Sequence, residues 1–390
     1  MTAIAERIAD QLDDFIAIRQ HLHANPELSF EEHNTAAYIS EKLSEFGIEH
    51  ETAVAGTGIV GIIKGKNPNS RIIALRADMD ALPIVEANEI PYKSKNEGVM
   101  HACGHDVHST CLLGAAKLLA ETKEDWSGTI KLIFQQGEEK LPGGASLLIK
   151  AGVLEKPKPQ AIFGLHVHPE LPYGQVGFRK GQYMASCDEI YITIKGKGGH
   201  AALPHQTIDP IVMASQIILS LQTIISRRHN SIASPTVLSF GKIEGGSVGN
   251  VIPSEVKLEG TLRCMDEEWR AQAQELIKKQ VNEIAQAMGG SAEVNIPPGY
   301  PSLINDEETT RKARSIAEDS LGSNQVKHLA KRMTGEDFSF YTHHVPGCFF
   351  RLGTSHDGKF EVPVHNPSFN IYEKAIGIGI RMFYELATRY

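Results

Sequence analysis

The segment Met100-His101-Ala102-Cys103-Gly104-His105-Asp106-Val107-His108 crowds a thiol, three imidazoles and a carboxyl into one short stretch. In extended backbone, residues two apart face the same side, so Cys103 and His105 could grip one cation together. A thiolate beside an imidazole suits a transition metal better than Mg²⁺ or Ca²⁺. The same residues also read as a turn into a helix capped by Asp106. A second group, Gln135-Gln136-Gly137-Glu138-Glu139, sets two carboxylates side by side after an apolar run. Neighbouring residues cannot point the same way, so the pair could divide the work. One carboxylate would hold a metal while the other takes a proton from water; otherwise the pair is a solvated loop. Gly164-Leu165-His166-Val167-His168-Pro169 and Pro363-Val364-His365-Asn366-Pro367 add histidines in similar settings. Asp78-Met79-Asp80 follows another apolar run. Asp80 is expected to orient an imidazole rather than bind metal, because ligating histidines usually need a carboxylate on their other nitrogen.

These groups can meet only if the chain between them forms a sheet. Arg71–Ala77 is a near-continuous apolar run, as expected of a strand buried on both faces, Gln160–Leu165 is another buried strand, and Gly58–Lys64 and Thr129–Phe134 also read as strands. Helices are predicted over Asp10–Leu22, Asn34–Phe46, Val107–Glu121 and Gly144–Ala151. Strands alternating with helices imply an α/β layer with a mixed, largely parallel sheet and helices on both faces. In such sheets the ligand crevice lies at the carboxyl ends of the strands, where the candidate residues fall.

The texture changes near Asp188. Ile190, Ile192 and Ile194 alternate with polar residues, as in a strand with one buried face. Asp209-Pro210 starts a helix, with Ile211, Ala214, Ile218, Leu221 and Ile225 predicted on its buried side. Strands at Thr236–Lys242 and Glu255–Leu262, a helix after Asp266 and a strand at Ala292–Ile296 complete a split β-α-β-β-α-β pattern. The expected organisation is therefore discontinuous. Residues 1–186 and 298–390 form one α/β domain, and residues 187–297 form an inserted α+β domain. Two loops stand out in the insert: Gly196-Lys197-Gly198-Gly199-His200-Ala201-Ala202 and Gly249-Asn250-Val251-Ile252-Pro253. Their dense glycines would let the backbone approach another group closely, although from spacing alone each also reads as a hairpin turn. The last third returns to helix (Asp306–Leu321), strand (Cys348–Leu352) and helix (Tyr372–Thr388).

Composition narrows the possibilities. At 390 residues the chain is long enough for two or three domains, and 41% hydrophobic with 22% charged residues suits a globular protein. A net charge of −8 argues against binding nucleic acid or anionic membranes through bulk attraction. No run of about 18 apolar residues predicts a membrane span, and no secretory signal is visible. Five cysteines form no disulfide framework, so a reduced cytoplasmic setting is expected. The 17 histidines are the one unusual count.

Six segments closely resemble motifs of the M20 metallopeptidase family. They are Leu75-Arg76-Ala77-Asp78-Met79-Asp80-Ala81-Leu82-Pro83, His101-Ala102-Cys103-Gly104-His105-Asp106, the Glu138-Glu139 pair, Gly164-Leu165-His166-Val167-His168, Gly196-Lys197-Gly198-Gly199-His200-Ala201 and Asn250-Val251-Ile252-Pro253. The resemblance is to the amidohydrolase branch, with its hippurate hydrolases, N-acyl-amino-acid amidohydrolases and auxin-conjugate hydrolases. It runs from about Arg19 to His365.

The resemblance implies two divalent metal ions per subunit, Mn²⁺ or Zn²⁺, with Co²⁺ or Ni²⁺ as further options. Cys103 would bridge them, with His105, Glu139, His166 and His365 as the other ligands. Glu138 would be general base and then acid, and Asp80 the orienting aspartate. The insert would serve as lid and dimerisation domain. His200 would stabilise the oxyanion in the partner subunit's site, and Asn250 would help hold substrate. The implied enzyme is a homodimeric amidohydrolase cleaving small N-acyl or N-aroyl amino acids. A dipeptidase-like or aminopeptidase-like activity and a non-catalytic binder of amino-acid conjugates are the alternatives. The sequence departs from the family at Gln136-Gly137, Thr334, Gly335 and Asn366, and Asp78 stands where peptidase branches carry a metal-binding histidine.

Overall fold

The computed structural model describes residues 3–390, and its contacts divide them into two compact units. The first runs through Gly181 and resumes at Ile304–Ala330 and Asp337–Tyr390. The second comprises Gln182–Leu303 and Lys331–Glu336.

The first unit is built on an eight-stranded sheet. Its early strands are β1 (Glu49–Val54), β2 (Gly58–Lys64), β3 (Ile72–Asp78), β4 (Thr129–Gln135), β5 (Ala161–Pro172) and β6 (Val176–Phe178). Strands Val326–His328 and Gly347–Ser355 complete it. The order is β1-β2-β4-β3-β5-(347–355)-β6-(326–328). The four central strands are mutually parallel, and β1, β2 and β6 enter by antiparallel pairing. Every residue of β4 is buried, including Lys131, whose Nζ donates to the Val153 carbonyl at 2.5 Å. β1 escapes prediction because its sequence, Glu-His-Glu-Thr-Ala-Val, is polar and its side chains are mostly exposed.

Helices α1 (Ala3–Asp10), α2 (Leu12–Ala24), α3 (His33–Glu45), α4 (His105–Glu121) and α5 (Gly144–Lys150) surround the sheet. The helix expected over Asp10–Leu22 appears as α2, two residues later at each end, and α1 precedes it. The main core joins Phe163, Leu165 and Val167 of β5 to Leu112, Ala115 and Leu119 of α4. Ile376, Ile380 and Phe383 of the C-terminal helix Ala375–Arg389 complete this layer.

The second unit holds a four-stranded antiparallel sheet of Thr236–Glu244, Glu255–Cys264, Asp188–Lys195 and Ser291–Asn295, in that order. Helices α6 (Pro210–Arg228) and α7 (Glu267–Ala287) cover one face. Asp209 caps α6 by accepting from the backbone N–H groups of Ile211 and Val212, and Asp266 caps α7 at Trp269. The helix connections leave the central strand Asp188–Lys195 antiparallel to both neighbours, as a split β-α-β-β-α-β requires.

The buried face of α6 differs from the predicted one. Met213, Ala214, Ile217, Leu221 and Ile224 face the sheet, whereas Ile211 is exposed. The helix carries overlapping apolar stripes, and the sheet takes the one that Met213 and Ile217 extend. By length and a mean hydropathy of 1.2, α6 is apolar enough to cross a membrane. In this fold its apolar stripe packs as a core helix against Ile190, Ile192 and Ile194.

Candidate active site

The candidate residues of the first unit gather where the central parallel strands end. β3 finishes at Asp78 and β4 at Gln135, which pair directly. Arg76 of β3 pairs with Gly164 of β5, which brings His166 level with the end of β3. α4 begins at His105 on the same edge.

The approach of α4 depends on Gly104. It is the N-terminal boundary residue of the helix and takes φ +88°, a left-handed conformation that glycine adopts without strain. A Cβ there would lie 2.6 Å from a methyl of Val167. The loop is therefore folded rather than extended, and Cys103 and His105 meet through this turn instead of the two-residue alternation of a strand. Asp106 does not cap α4. Its carboxylate accepts from Arg19 Nε and pairs with His23 Nδ1, both at 2.8 Å. Gly137 plays a similar part before the glutamate pair, with φ +57° and the Phe30 ring filling the space of a side chain.

Two sets of possible ligands share Cys103. Its Sγ lies 3.3 Å from His166 Nε2, and Cys103, His105 and His166 could meet at one ion. Cys103, Glu139 and His365 form the other set. Glu139 Oε1 is 3.1 Å from His365 Nε2 and 4.0 Å from His105 Nε2. Cys103 belongs to both groups, and the geometry allows the same thiolate to serve each.

The imidazoles are oriented from behind. His105 Nδ1 faces Asp80 Oδ1 at 3.1 Å, which puts the ring proton on Nδ1 and turns Nε2 toward the cluster. Asp80 Oδ2 accepts from Ser29 Oγ at 2.6 Å and from the Glu139 backbone N–H at 2.9 Å. One carboxylate thereby fixes an imidazole and the chain beside a second carboxylate. His166 Nδ1 donates to the Val167 carbonyl at 2.8 Å, leaving Nε2 toward Cys103. His365 is exposed and adopts φ +64°, uncommon for a residue with a Cβ. Its backbone N–H donates to the Ala102 carbonyl at 2.8 Å, tying it to the Cys103 loop.

This donor set fits divalent cations. His105 Nε2 is buried and makes no hydrogen bond. An orphaned buried nitrogen is costly unless something positive completes it. Burial disfavours protonation of His105, yet Asp78, Asp80 and Glu139 overcome it and push its pKa up to about 10. The site thus stabilises positive charge. Burial and the nearby Glu139 and Glu138 push the Cys103 thiol well above its usual range. A cation removes that penalty by binding the thiolate directly. Burial, Arg351 and His108 keep His166 neutral, the form that coordinates metal.

Asp78, His105 and His108 are also close enough to suggest a metal site. Their hydrogen bonds argue otherwise. Asp78 Oδ1 is bound by His108 Nδ1 and Oδ2 by Arg76 Nη1, both at 2.6 Å. His108 Nε2 accepts from the Val167 backbone N–H at 3.0 Å. Both His108 nitrogens are thus engaged, and each Asp78 oxygen already has a partner, with Oδ2 also 3.8 Å from His105 Nε2, so the two residues read as supports. His108 could have been found from sequence, since it follows His105 by one helical turn.

Glu138 is buried, and its Oε1 accepts from the Asp337 backbone N–H at 3.4 Å. The adjacent glutamates differ in their partners: Glu139 reaches His365, whereas Glu138 Oε1 faces Asp337 and a Glu138 oxygen also lies within 4.8 Å of donor atoms of His105 and Glu139. The remaining two candidates lie in the second unit. His200 pairs with Val251 in a two-stranded ladder, and the Ala201 N–H donates to the Asn250 carbonyl at 3.0 Å. Both His200 and Asn250 are exposed.

Comparison with known proteins agrees with this architecture. Residues 74–389 match the model of peptidase family M20/M25/M40. The chain is 44% identical over 374 residues to an N-acetyl-L-cysteine deacetylase of Bacillus subtilis, covering 96% of this chain and 87% of that protein. It is 40% identical over 387 residues to the IAA-amino acid hydrolase ILR1-like 4 of Arabidopsis thaliana, covering 98% and 86%. Among solved structures, the YXEP protein of Bacillus subtilis, described as a dinuclear metal binding peptidase, superimposes with a TM-score of 0.82. Identity there is 36%, covering 97% of this chain and 98% of that one. With a family match across most of its length and amide-hydrolysing relatives aligned almost end to end, the chain belongs to peptidase family M20/M25/M40 and is a hydrolase of amide bonds.

Proposed function

We propose that the enzyme is a two-metal amidohydrolase that cleaves N-acyl or N-aroyl amino acids into a carboxylic acid and a free amino acid. The observation that carries this reading is the different partners of Glu138 and Glu139 beside a shared thiol. Glu139 sits among imidazoles, while Glu138, beside the same cluster, accepts a backbone N–H from Asp337. A pure binding site needs only the first. The related deacetylase and auxin-conjugate hydrolase are both named for substrates that carry an acyl group on an amino-acid nitrogen.

Cys103, His105, Glu139, His166 and His365 would hold the ions. Mn²⁺ or Zn²⁺ suits a mixed thiolate, imidazole and carboxylate set, and Co²⁺ or Ni²⁺ would also fit it. When bound, two such ions polarise the amide carbonyl and make water more acidic. Glu138 accepts the proton from the attacking water and passes it to the leaving nitrogen. Asp80 holds His105 in the ligating tautomer. His200 donates to the oxyanion of the tetrahedral intermediate, and Asn250 binds substrate.

We assign the second unit to lid and dimerisation. The stripe of α6 turned from its sheet exposes Ile211, Val212 and Leu219, and an exposed apolar stripe of this kind suits a partner surface. All five cysteines are free, which agrees with a reducing cytoplasmic compartment.

The test is a hydrolysis screen of N-acetyl and N-benzoyl amino acids against dipeptides, each with Mn²⁺, Zn²⁺, Co²⁺ and Ni²⁺. Cleavage of the acylated amino acids should dominate. Cleavage of dipeptides alone would favour the peptidase reading, which the resemblance to the dinuclear peptidase supports. Metal binding without hydrolysis would favour a binder.

A further inference from the structure

Arg76 has its guanidinium wholly buried, in the middle of the sheet edge that carries the site. Three of its nitrogens are engaged on three different partners. Nε donates to Gln135 Oε1 at 2.9 Å, Nη1 to Asp78 Oδ2 at 2.6 Å and Nη2 to Asp337 Oδ1 at 2.7 Å. The Phe338 ring lies 5.9 Å from the guanidinium carbon.

From this hub the contacts run in two directions. On one side, Asp337 is clamped by both oxygens. Gln135 Nε2 donates to Oδ1 at 2.8 Å and to Oδ2 at 2.7 Å, and the Ala145 backbone N–H donates to Oδ2 at 3.0 Å. The backbone N–H of the clamped residue then donates to Glu138 Oε1. On the other side, Asp78 accepts from His108 Nδ1, and His108 Nε2 accepts from the Val167 N–H. The Val167 carbonyl in turn accepts from His166 Nδ1. A single buried chain of hydrogen bonds therefore links the candidate base on the β4 loop to a candidate ligand on β5.

Burying a guanidinium and two carboxylates costs several kcal/mol per ion unless each is fully paired. Apolar residues of similar volume would hold the strands together at lower cost. A charged network here is better explained by direction, because fork-shaped donors fix their partners in angle as well as distance.

We propose that Arg76 and Asp337 are positioning residues for the amide hydrolysis assigned above. The Arg76–Asp337 arm aims the carboxylate of Glu138, and the Arg76–Asp78–His108 arm aims His166. The proposal rests on the functional reading only for the part concerning Glu138. The part concerning His166 predicts metal binding and stands independently of turnover.

The two arms are tested separately. Asp337→Asn keeps size but turns one of two accepting oxygens into a donor, losing two of the four bonds that the carboxylate accepts from Arg76, Gln135 and Ala145. It should lower kcat by about 10–100-fold, the usual range for supports of a site, with KM and bound metal close to wild type. In a Glu138→Asp background the same change should lower kcat far less, because the aimed carboxylate is already displaced. His108→Gln should weaken divalent-metal affinity by about 10–100-fold, read by titration of the metal-free protein with Mn²⁺ or Zn²⁺. Thermal unfolding of all variants separates these effects from loss of folded protein. Equal kcat losses in both backgrounds, or unchanged kcat in Asp337→Asn, would overturn the base arm. Unchanged metal affinity in folded His108→Gln would overturn the ligand arm. A wild-type protein that binds metal but hydrolyses no acylated amino acid would instead overturn the functional reading. The ligand arm would then still be decided by the titration.

Discussion

The cluster around Cys103 and the pair His200–Asn250 carry the same kind of candidate residue in opposite circumstances. In the first, nearly every group is buried and held from behind. Asp80 takes His105, Val167 takes His166 and Asp337 takes Glu138. In the second, His200 is exposed, and its Nδ1 accepts from the backbone N–H of Ala202, two residues on, at 3.1 Å. The difference teaches what each region must do. A metal cluster needs its ligands placed before the ion arrives, so orientation is built into the fold. A donor in an exposed loop, by contrast, has no such support behind it.

The largest expected effect tests the prepared region. Removing metal with a chelator should abolish hydrolysis, and adding Mn²⁺ or Zn²⁺ should restore it. The melting temperature should fall on chelation and recover with the ion, since a ligand that binds only the folded state stabilises it. Activity that survives complete metal removal would break the comparison at its root.

Next comes His200→Ala. It should reduce kcat by roughly 10²–10³-fold, the cost of losing one oxyanion donor, with bound metal unchanged. Mixing His200→Ala with Glu138→Ala subunits should restore part of the activity if His200 serves the partner's site. No recovery in verified mixed dimers would place His200 in its own subunit's site or outside catalysis.

Asp80→Asn is expected to be milder, lowering activity or metal affinity by about 10–100-fold, because the amide can still meet His105 but without charge. An effect smaller than two-fold in both readouts would remove Asp80 from the account. The smallest effect on turnover should come from Asp188→Ala in the second unit. Asp188 is buried and accepts from Arg270 Nε at 2.7 Å and Nη2 at 2.6 Å. Its loss leaves Arg270 with Glu267 Oε2 at 2.8 Å alone and should cost about 2–3 kcal/mol of stability, measured by denaturant unfolding. Turnover per folded molecule should stay near wild type.

Much of the prepared region was legible in sequence because its residues lie in short motifs at strand ends. Strand β2 appears over the predicted residues, and β3 and β4 within one residue of them. What sequence could not supply was the support behind the motifs. Arg76 and Asp337 are separated by 261 positions, and nothing local to either announces the other. Asp78 and Asp80 look interchangeable in Asp78-Met79-Asp80. The fold separates them by giving Asp78 to Arg76 and His108, and Asp80 to His105 and Ser29. His365 needed a left-handed backbone that no pattern around Pro363 and Pro367 reveals. In the second unit, caps at Asp209 and Asp266 could be read directly, because a cap is a local hydrogen bond. The buried face of α6 could not, because several apolar stripes competed and only the sheet decides among them.

The central claim is that Glu138 and Glu139 divide proton transfer from metal binding. It is tested most directly by Glu138→Gln, assayed for bound metal and for hydrolysis of an N-acetyl amino acid in the same preparation. The account predicts wild-type metal content with turnover reduced by roughly 10²–10⁴-fold, as expected for loss of a general base. Near-normal turnover in the metal-loaded variant would contradict it.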